Sequence, residues 1–110
     1  VSNAKASACT NASIQIPGSC TVYDSVFVRG SDRTATIINL PPNATWGGVG
    51  EVIFENTTFD TNGDPSRLVN FGEVGRVLTL IDCTVDGVEY SYVKHTNTSV
   101  GNASIFDMVS

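Results

Sequence analysis

Charge is the first thing this chain has little of. Only 15% of its 110 residues are Asp, Glu, Lys or Arg, against about a quarter in an ordinary soluble domain. Its six Lys and Arg are scattered, and eleven Asp and Glu give a formal net charge of −5. A phosphate backbone is held by clustered basic side chains, so no nucleic acid is expected as a partner. No apolar run approaches the roughly 20 residues a membrane helix needs, and there is no basic amphipathic helix, so no membrane span is expected either. Residues Val1 to Ala8 are small and lack an apolar core segment, which reads as a mature N-terminus rather than an intact signal peptide.

Cysteine is scarce and odd in number: three residues leave at most one internal bridge. Cys9 and Cys20 flank Pro17-Gly18, and a disulfide between them would close a short loop worth about 2 to 3 kcal/mol; two small buried side chains are the alternative. No C-x-x-C or Cys/His spacing points to zinc. Helical periodicity is also missing. The apolar runs are four to eight residues long, rich in Val, Ile, Thr, Phe and Tyr, and separated by Gly, Pro, Asn or Asp, which predicts an all-β class.

What is present is an internal repeat. Cys20 to Val28, Val52 to Asp60 and Leu78 to Asp86 share one pattern: apolar or Cys, any, apolar, any, Asn or Asp, then a small Ser, Thr or Cys. Asp24, Asn56 and Asp82 are the polar anchors, and Cys83 occupies the column of Ser25 and Thr57. A second landmark follows twice, as Ile37-Ile38-Asn39-Leu40 and Leu68-Val69-Asn70-Phe71. The third unit is looser: Asp86-Gly87 turns into an alternating run with Tyr90 and Tyr92. Units of this length fit a parallel β-solenoid of about three turns, with Val22, Phe54 and Leu80 in one interior column and Phe27, Phe59 and Val85 in another. Period-2 alternation would also bury the anchor, where an unpaired amide or carboxylate is costly, so a bend is expected there. Residues 1–19 read as an N-terminal arm and strand, 20–101 as the repeats and 102–110 as a C-terminal strand. A small β-sandwich is the competing architecture.

These I-x-I-x-N-x-x-F-like units resemble the right-handed parallel β-helix repeats of pectin-lyase-like secreted proteins over roughly residues 20 to 100. The resemblance implies a secreted, coiled all-β domain. The chain departs from it in carrying two Asp anchors where an Asn ladder would stand, and like carboxylates repel when stacked directly. Enzymes of that kind line a long groove with acidic clusters and basic residues, and about three turns are too few for one.

No catalytic residue and no cofactor are expected. His95 lies in a polar loop without a nucleophile motif beside it, and neither Gly72-Glu73-Val74-Gly75 nor Trp46-Gly47-Gly48-Val49-Gly50 sits in a phosphate-loop context. Asp60, Asn62 and Asp64 open like an EF-hand, but the glycine comes too early at Gly63 and Phe71 replaces the closing Glu. An Asn-Gly turn is the preferred reading over a weak calcium site. Five N-x-[ST] sequons point to N-linked glycans and an extracellular or cell-surface location. Asn11, Asn43, Asn97 and Asn102 are expected in loops or arms as acceptors; Asn56 is the poorer site if it points into a bend. A short solenoid also has two open ends. Strand-like pieces containing Ile14 and Ile16 near one terminus, and Ile105 and Phe106 near the other, share an N-A-S-I core. They are expected to complete the sheets of neighbouring copies head to tail, giving a structural glycoprotein filament. A carbohydrate- or surface-binding β module of a larger protein is the alternative, with Tyr90 and Tyr92 as its aromatic row.

Overall fold

The computed structural model describes residues 5–6, 14–16, 19–30, 34–42 and 50–109. Its elements in chain order are β1 (Lys5–Ala6), β2 (Ile14–Gln15), β3 (Cys20–Tyr23), β4 (Val26–Val28), β5 (Ile38–Leu40), β6 (Glu51–Glu55) and β7 (Thr58–Asp60). A 3-10 turn (Pro65–Arg67) precedes β8 (Val69–Phe71), and β9 (Val77–Val85), β10 (Val88–Thr96), β11 (Gly101–Ala103) and the short helix α1 (Ile105–Met108) complete the chain. The class is all-β, in two sheets that mix parallel and antiparallel pairing.

The three repeat units lie one above another in register. Val22 pairs in parallel with Phe54 and Phe54 with Leu80, while Phe27 pairs with Phe59 and Phe59 with Val85. All six side chains are buried. The rings of Phe27 and Phe59 stack at 5.9 Å, and Phe54 meets Phe59 edge-on at 5.1 Å, favoured geometries for aromatic pairs. The second landmark forms the other sheet, with Ile38 beside Val69, Asn39 beside Asn70 and Leu40 beside Phe71. Strands β1 and β2 extend the two sheets in parallel below β4 and β5, so the segment expected as an arm contributes a partial layer of its own.

Each anchor is a bend. Asp24, Asn56 and Asp82 have φ of 55°, 50° and 51°, the left-handed region that Asn and Asp tolerate better than other side chains with a Cβ. The turn of backbone restarts the alternation: Val22 and Phe54 point inward before it, and the next residue points inward after it. That residue is buried and small for a reason. Ser25 Oγ donates to Tyr23 O at 3.0 Å, Thr57 Oγ1 to Glu55 O at 3.0 Å, and Cys83 Sγ to Ile81 O at 3.4 Å, so each closes its own corner. The anchors alternate in chemistry as well, and Asn56 Nδ2 donates to Asp24 Oδ1 at 2.7 Å. An amide between two carboxylates removes the like-charge contact that direct stacking would create.

The C-terminal strand expected over residues 102–110 is corrected by the structure. Extended pairing stops at Ala103, where β11 lies antiparallel to β8, and Ile105–Met108 is a single helical turn. Ser104 and Asp107 enforce that change, because the Asp107 carboxylate accepts from both the Ser104 N–H at 2.8 Å and its hydroxyl at 3.1 Å. Ile105 and Met108 then drop into the core.

The bends generate a direct test. Replacing Asn56 by Gly keeps the positive φ and is expected to change stability by less than about 1 kcal/mol. Asn56→Val adds a β-branched residue to that conformation and should lose about 1 to 2 kcal/mol in urea unfolding, beyond the lost bond to Asp24.

Candidate functional site

The expected site residues fall into groups that the structure treats very differently. Asn11, Asn43 and Cys9 lie outside the described residues. Of the remaining sequons, Asn102 is exposed on β11, with Oδ1 accepting from Thr36 Oγ1 at 3.3 Å. Asn56 is exposed at its bend, but its Nδ2 is held by Asp24. Asn97 lies in the loop between β10 and β11, as expected, but with its side chain turned inward. It is only 3% exposed, and Nδ2 donates to Glu73 O at 2.9 Å and Ser99 O at 3.1 Å. Its backbone also exchanges bonds with Gly75 and Arg76. A glycan on that nitrogen would replace one of its two N–H donors, break at least one of these bonds and force the buried loop open.

Asp60, Asn62 and Asp64 do not converge. Asp60 Oδ1 accepts from the Asn62 N–H at 2.8 Å, an Asx turn. Asp64 accepts from Ser66 Oγ at 2.6 Å and lies 3.7 Å from Arg67 Nε. The Ser66 hydroxyl, with help from the nearby arginines, holds the Asp64 carboxyl below its ordinary pKa. Among the described residues no group of three or more His, Cys, Asp or Glu is placed to hold a metal ion.

The nine-residue strand β10 splits the aromatic row read from sequence. Tyr90 is half-buried against the core opposite Cys83, while Tyr92 is 61% exposed opposite Ile81. The cause is the Asp82 bend: β10 follows β9 through it, so side chains two apart fall on different faces. Tyr92 instead ends a row across the outer face that runs Tyr23, Glu55, Ile81, Tyr92. His95 rests on Phe71 at 5.7 Å and makes no hydrogen bond to an acid among the described residues, so it has no partner for acid–base work there.

Two buried arginines were not legible as such in the sequence. Arg76 is fully buried and donates through Nη1 to Pro41 O and through Nη2 to Ile16 O, each at 3.2 Å, so one guanidinium ties three layers together. Burial pulls its pKa below the ordinary arginine value. Arg29 Nε donates to Thr61 O at 2.8 Å, and the Thr61 N–H and hydroxyl both bond the Asp86 carboxylate at 2.7 Å, which links the three repeat units at another corner. The 570 Å³ open cleft beside this corner is lined by Phe59, Pro65, Thr58 and Thr84 together with Thr61 and Asp86, which are bonded to each other.

What remains open is the last layer. Strand β10 is bonded to β9 along its length, and no other backbone bond from it is made among the described residues. Val88 on this strand, Val100 in the loop before β11 and Phe106 on α1 are 53%, 62% and 67% exposed. Among the described residues this layer combines a backbone edge bonded on one side only with exposed apolar surface.

Two outcomes follow for the side chains placed here. In protein secreted by a glycosylating host, peptide mapping by mass spectrometry should find glycan on Asn102 and an unmodified Asn97. Burial pushes the Cys83 thiol pKa up, so alkylation at neutral pH should leave it unmodified in the folded state and label it fully in denaturant.

Compared with protein-family models, curated proteins and solved structures, the chain finds no match in any of the three.

Proposed function

We infer that this chain is a short parallel β-solenoid from an extracellular glycoprotein, of the pectin-lyase-like kind its repeats resemble, and that it works as a self-associating structural subunit rather than an enzyme. In-register parallel stacking of three units with like residues above like supports the solenoid over an antiparallel sandwich. The observation that carries the functional reading is the outer edge of β10. A nine-residue strand with one edge saturated and the other available is a template for a further strand, and side chains such as Val88 and Tyr92 add apolar area beside it.

The partner in this reading is a copy of the same chain. Contact at one end of the stack makes a pair, and contact at both ends makes a filament. The donor piece read from sequence at the C-terminus is not used, since Ile105 belongs to its own subunit's core. Ile14 and Ile16 belong to the first layer, where the backbone N–H of each donates to β5 or the residue before it. Glycans at exposed sequons such as Asn102 would shield the sides of such an assembly. A second reading, a carbohydrate- or surface-binding module, is favoured by the outward row that carries Tyr23 and Tyr92, because exposed aromatic faces stack on sugar rings.

Sedimentation velocity over a wide concentration range, with negative-stain microscopy of the most concentrated sample, checks the structural reading. Dimers or longer assemblies are expected. A protein that stays monomeric throughout, yet binds an oligosaccharide in a manner lost on Tyr92→Ala, would replace the first reading with the second.

A further inference from the structure

We propose that β10 is a self-complementary edge, and that two copies of this chain join tail to tail through antiparallel β10–β10 pairing about a two-fold axis between Ser91 and Tyr92. The proposal rests on the self-association reading and deepens it by naming the surface, its partner and its register.

The argument starts from which way each side chain points. Val88, Tyr90, Val93 and His95 lie opposite Val85, Cys83, Leu80 and Leu78, all inward-facing and buried. Glu89, Tyr92 and Lys94 lie opposite Thr84, Ile81 and Thr79 on the outer face. Reading outward from the junction of Ser91 and Tyr92, the inward positions are therefore mirrored: Tyr90 matches Val93, and Val88 matches His95. The outward positions are mirrored too, Glu89 matching Lys94. A regular strand cannot have this symmetry between residues of opposite parity. The bend that β10 shares with Asp82 of β9 creates it.

An isologous contact requires every residue pair to occur twice with its members exchanged. In this register Glu89 of each copy stands opposite Lys94 of the other, two opposite-charge pairs on the outer face. No like charges meet. Lys94 stands on the outer face, half exposed, with its ammonium 3.8 Å from Glu51 of β6 beyond β9, so in the proposed contact it swings from that exposed pair to Glu89 at the free edge. Inside, Tyr90 stands opposite Val93 and Val88 opposite His95; Val93 is already buried in its own subunit's core, so the apolar area gained comes from Val88 and the half-buried Tyr90. Val88 would lose much of its exposure. The edge is open for this among the described residues, where the backbone of β10 bonds only to β9. Directly opposite residues of an antiparallel pair contribute through such side-chain matches, and opposite charges across strands are favourable where like charges are not.

A cross-link fixes the register. In the double variant Glu89→Cys with Lys94→Cys, the two positions of one chain are about 16 Å apart along the strand, too far for an internal bridge. Across the proposed axis they are opposite, at about 4.5 to 5.5 Å between Cα atoms, within disulfide range. Mild oxidation is expected to convert the variant to a covalent dimer with two bridges, the parent chain run alongside as the background for its native cysteines. In the non-cysteine series, Glu89→Lys places like charges opposite each other twice and should weaken the dimer roughly tenfold or more. Circular dichroism of each variant confirms that the strands are retained. Non-covalent dimers that yield no 89–94 cross-link and ignore Glu89→Lys would overturn this contact while leaving self-association intact. A parent chain that remains monomeric at all concentrations would overturn both.

Discussion

Everything in this molecule depends on three residues that hold a positive φ inside an otherwise extended chain. A straight strand with apolar residues at Val22, Asp24 and Val26 positions would bury a carboxylate or an amide in every layer. Turning the backbone at Asp24, Asn56 and Asp82 takes those polar groups out to the corner and brings the following Ser, Thr or Cys in. The left-handed conformation costs energy for most residues with a Cβ, and Asn and Asp bear it most easily. Stacking repeats that choice in each layer, so that Asn56 and Asp24 can bond across the layers. The Thr57 hydroxyl and the Cys83 thiol add a second donor to Glu55 O and Ile81 O, which already accept from the Asp24 and Asn56 N–H groups of the neighbouring layer.

This logic explains what the sequence made legible. Residues that recur at corresponding positions announce the columns, and the unexpected polar residue within an alternating run announces the bend. The second landmark was equally readable in Asn39 and Asn70. Its third member, Asn102, was hidden because β11 runs antiparallel, so the chain direction and the order of its side chains are reversed there. The antiparallel return of β10 blurs the third unit, and because β10 follows the Asp82 bend, Tyr90 and Tyr92, which alternation puts on one face, fall on different ones. For α1 the signal was present and misread: Ser104 with Asp107 three residues later is a helix-start pattern, and the apolar Ile105-Phe106 between them suggested a strand instead.

The buried arginines were hidden for a different reason. Arg is usually exposed, and nothing about the sequence around Arg29 or Arg76 marks either as interior. Both lie at layer boundaries, where backbone carbonyls from loops point inward without a strand to receive them. A long guanidinium reaches several such carbonyls at once with its planar set of donors. Arg76 thereby connects Ile16, Pro41 and its own layer, which makes it part of the scaffold rather than of an acidic or anionic site. Asn97 plays the same part with an amide, bonding the Glu73 and Ser99 carbonyls from a buried position.

The hairpin from β9 to β10 ends the parallel repeat without removing its edge. The short α1 packs Ile105 and Met108 into the core beside Val93 but makes no backbone bond to β10 among the described residues, so β10 moves the unpaired groups outward by one position. Edge strands are commonly guarded by charge, and β10 carries Glu89 and Lys94 on its outward face. Two charges of one sign would repel every similar edge, including that of an identical molecule. Two of opposite sign, mirrored about the bend, oppose a partner in the wrong register and accept one in the right register. In the proposed contact the guard is selective in register: a slipped pairing of β10 with itself misplaces the charges, and a foreign strand lacks the matching change of face.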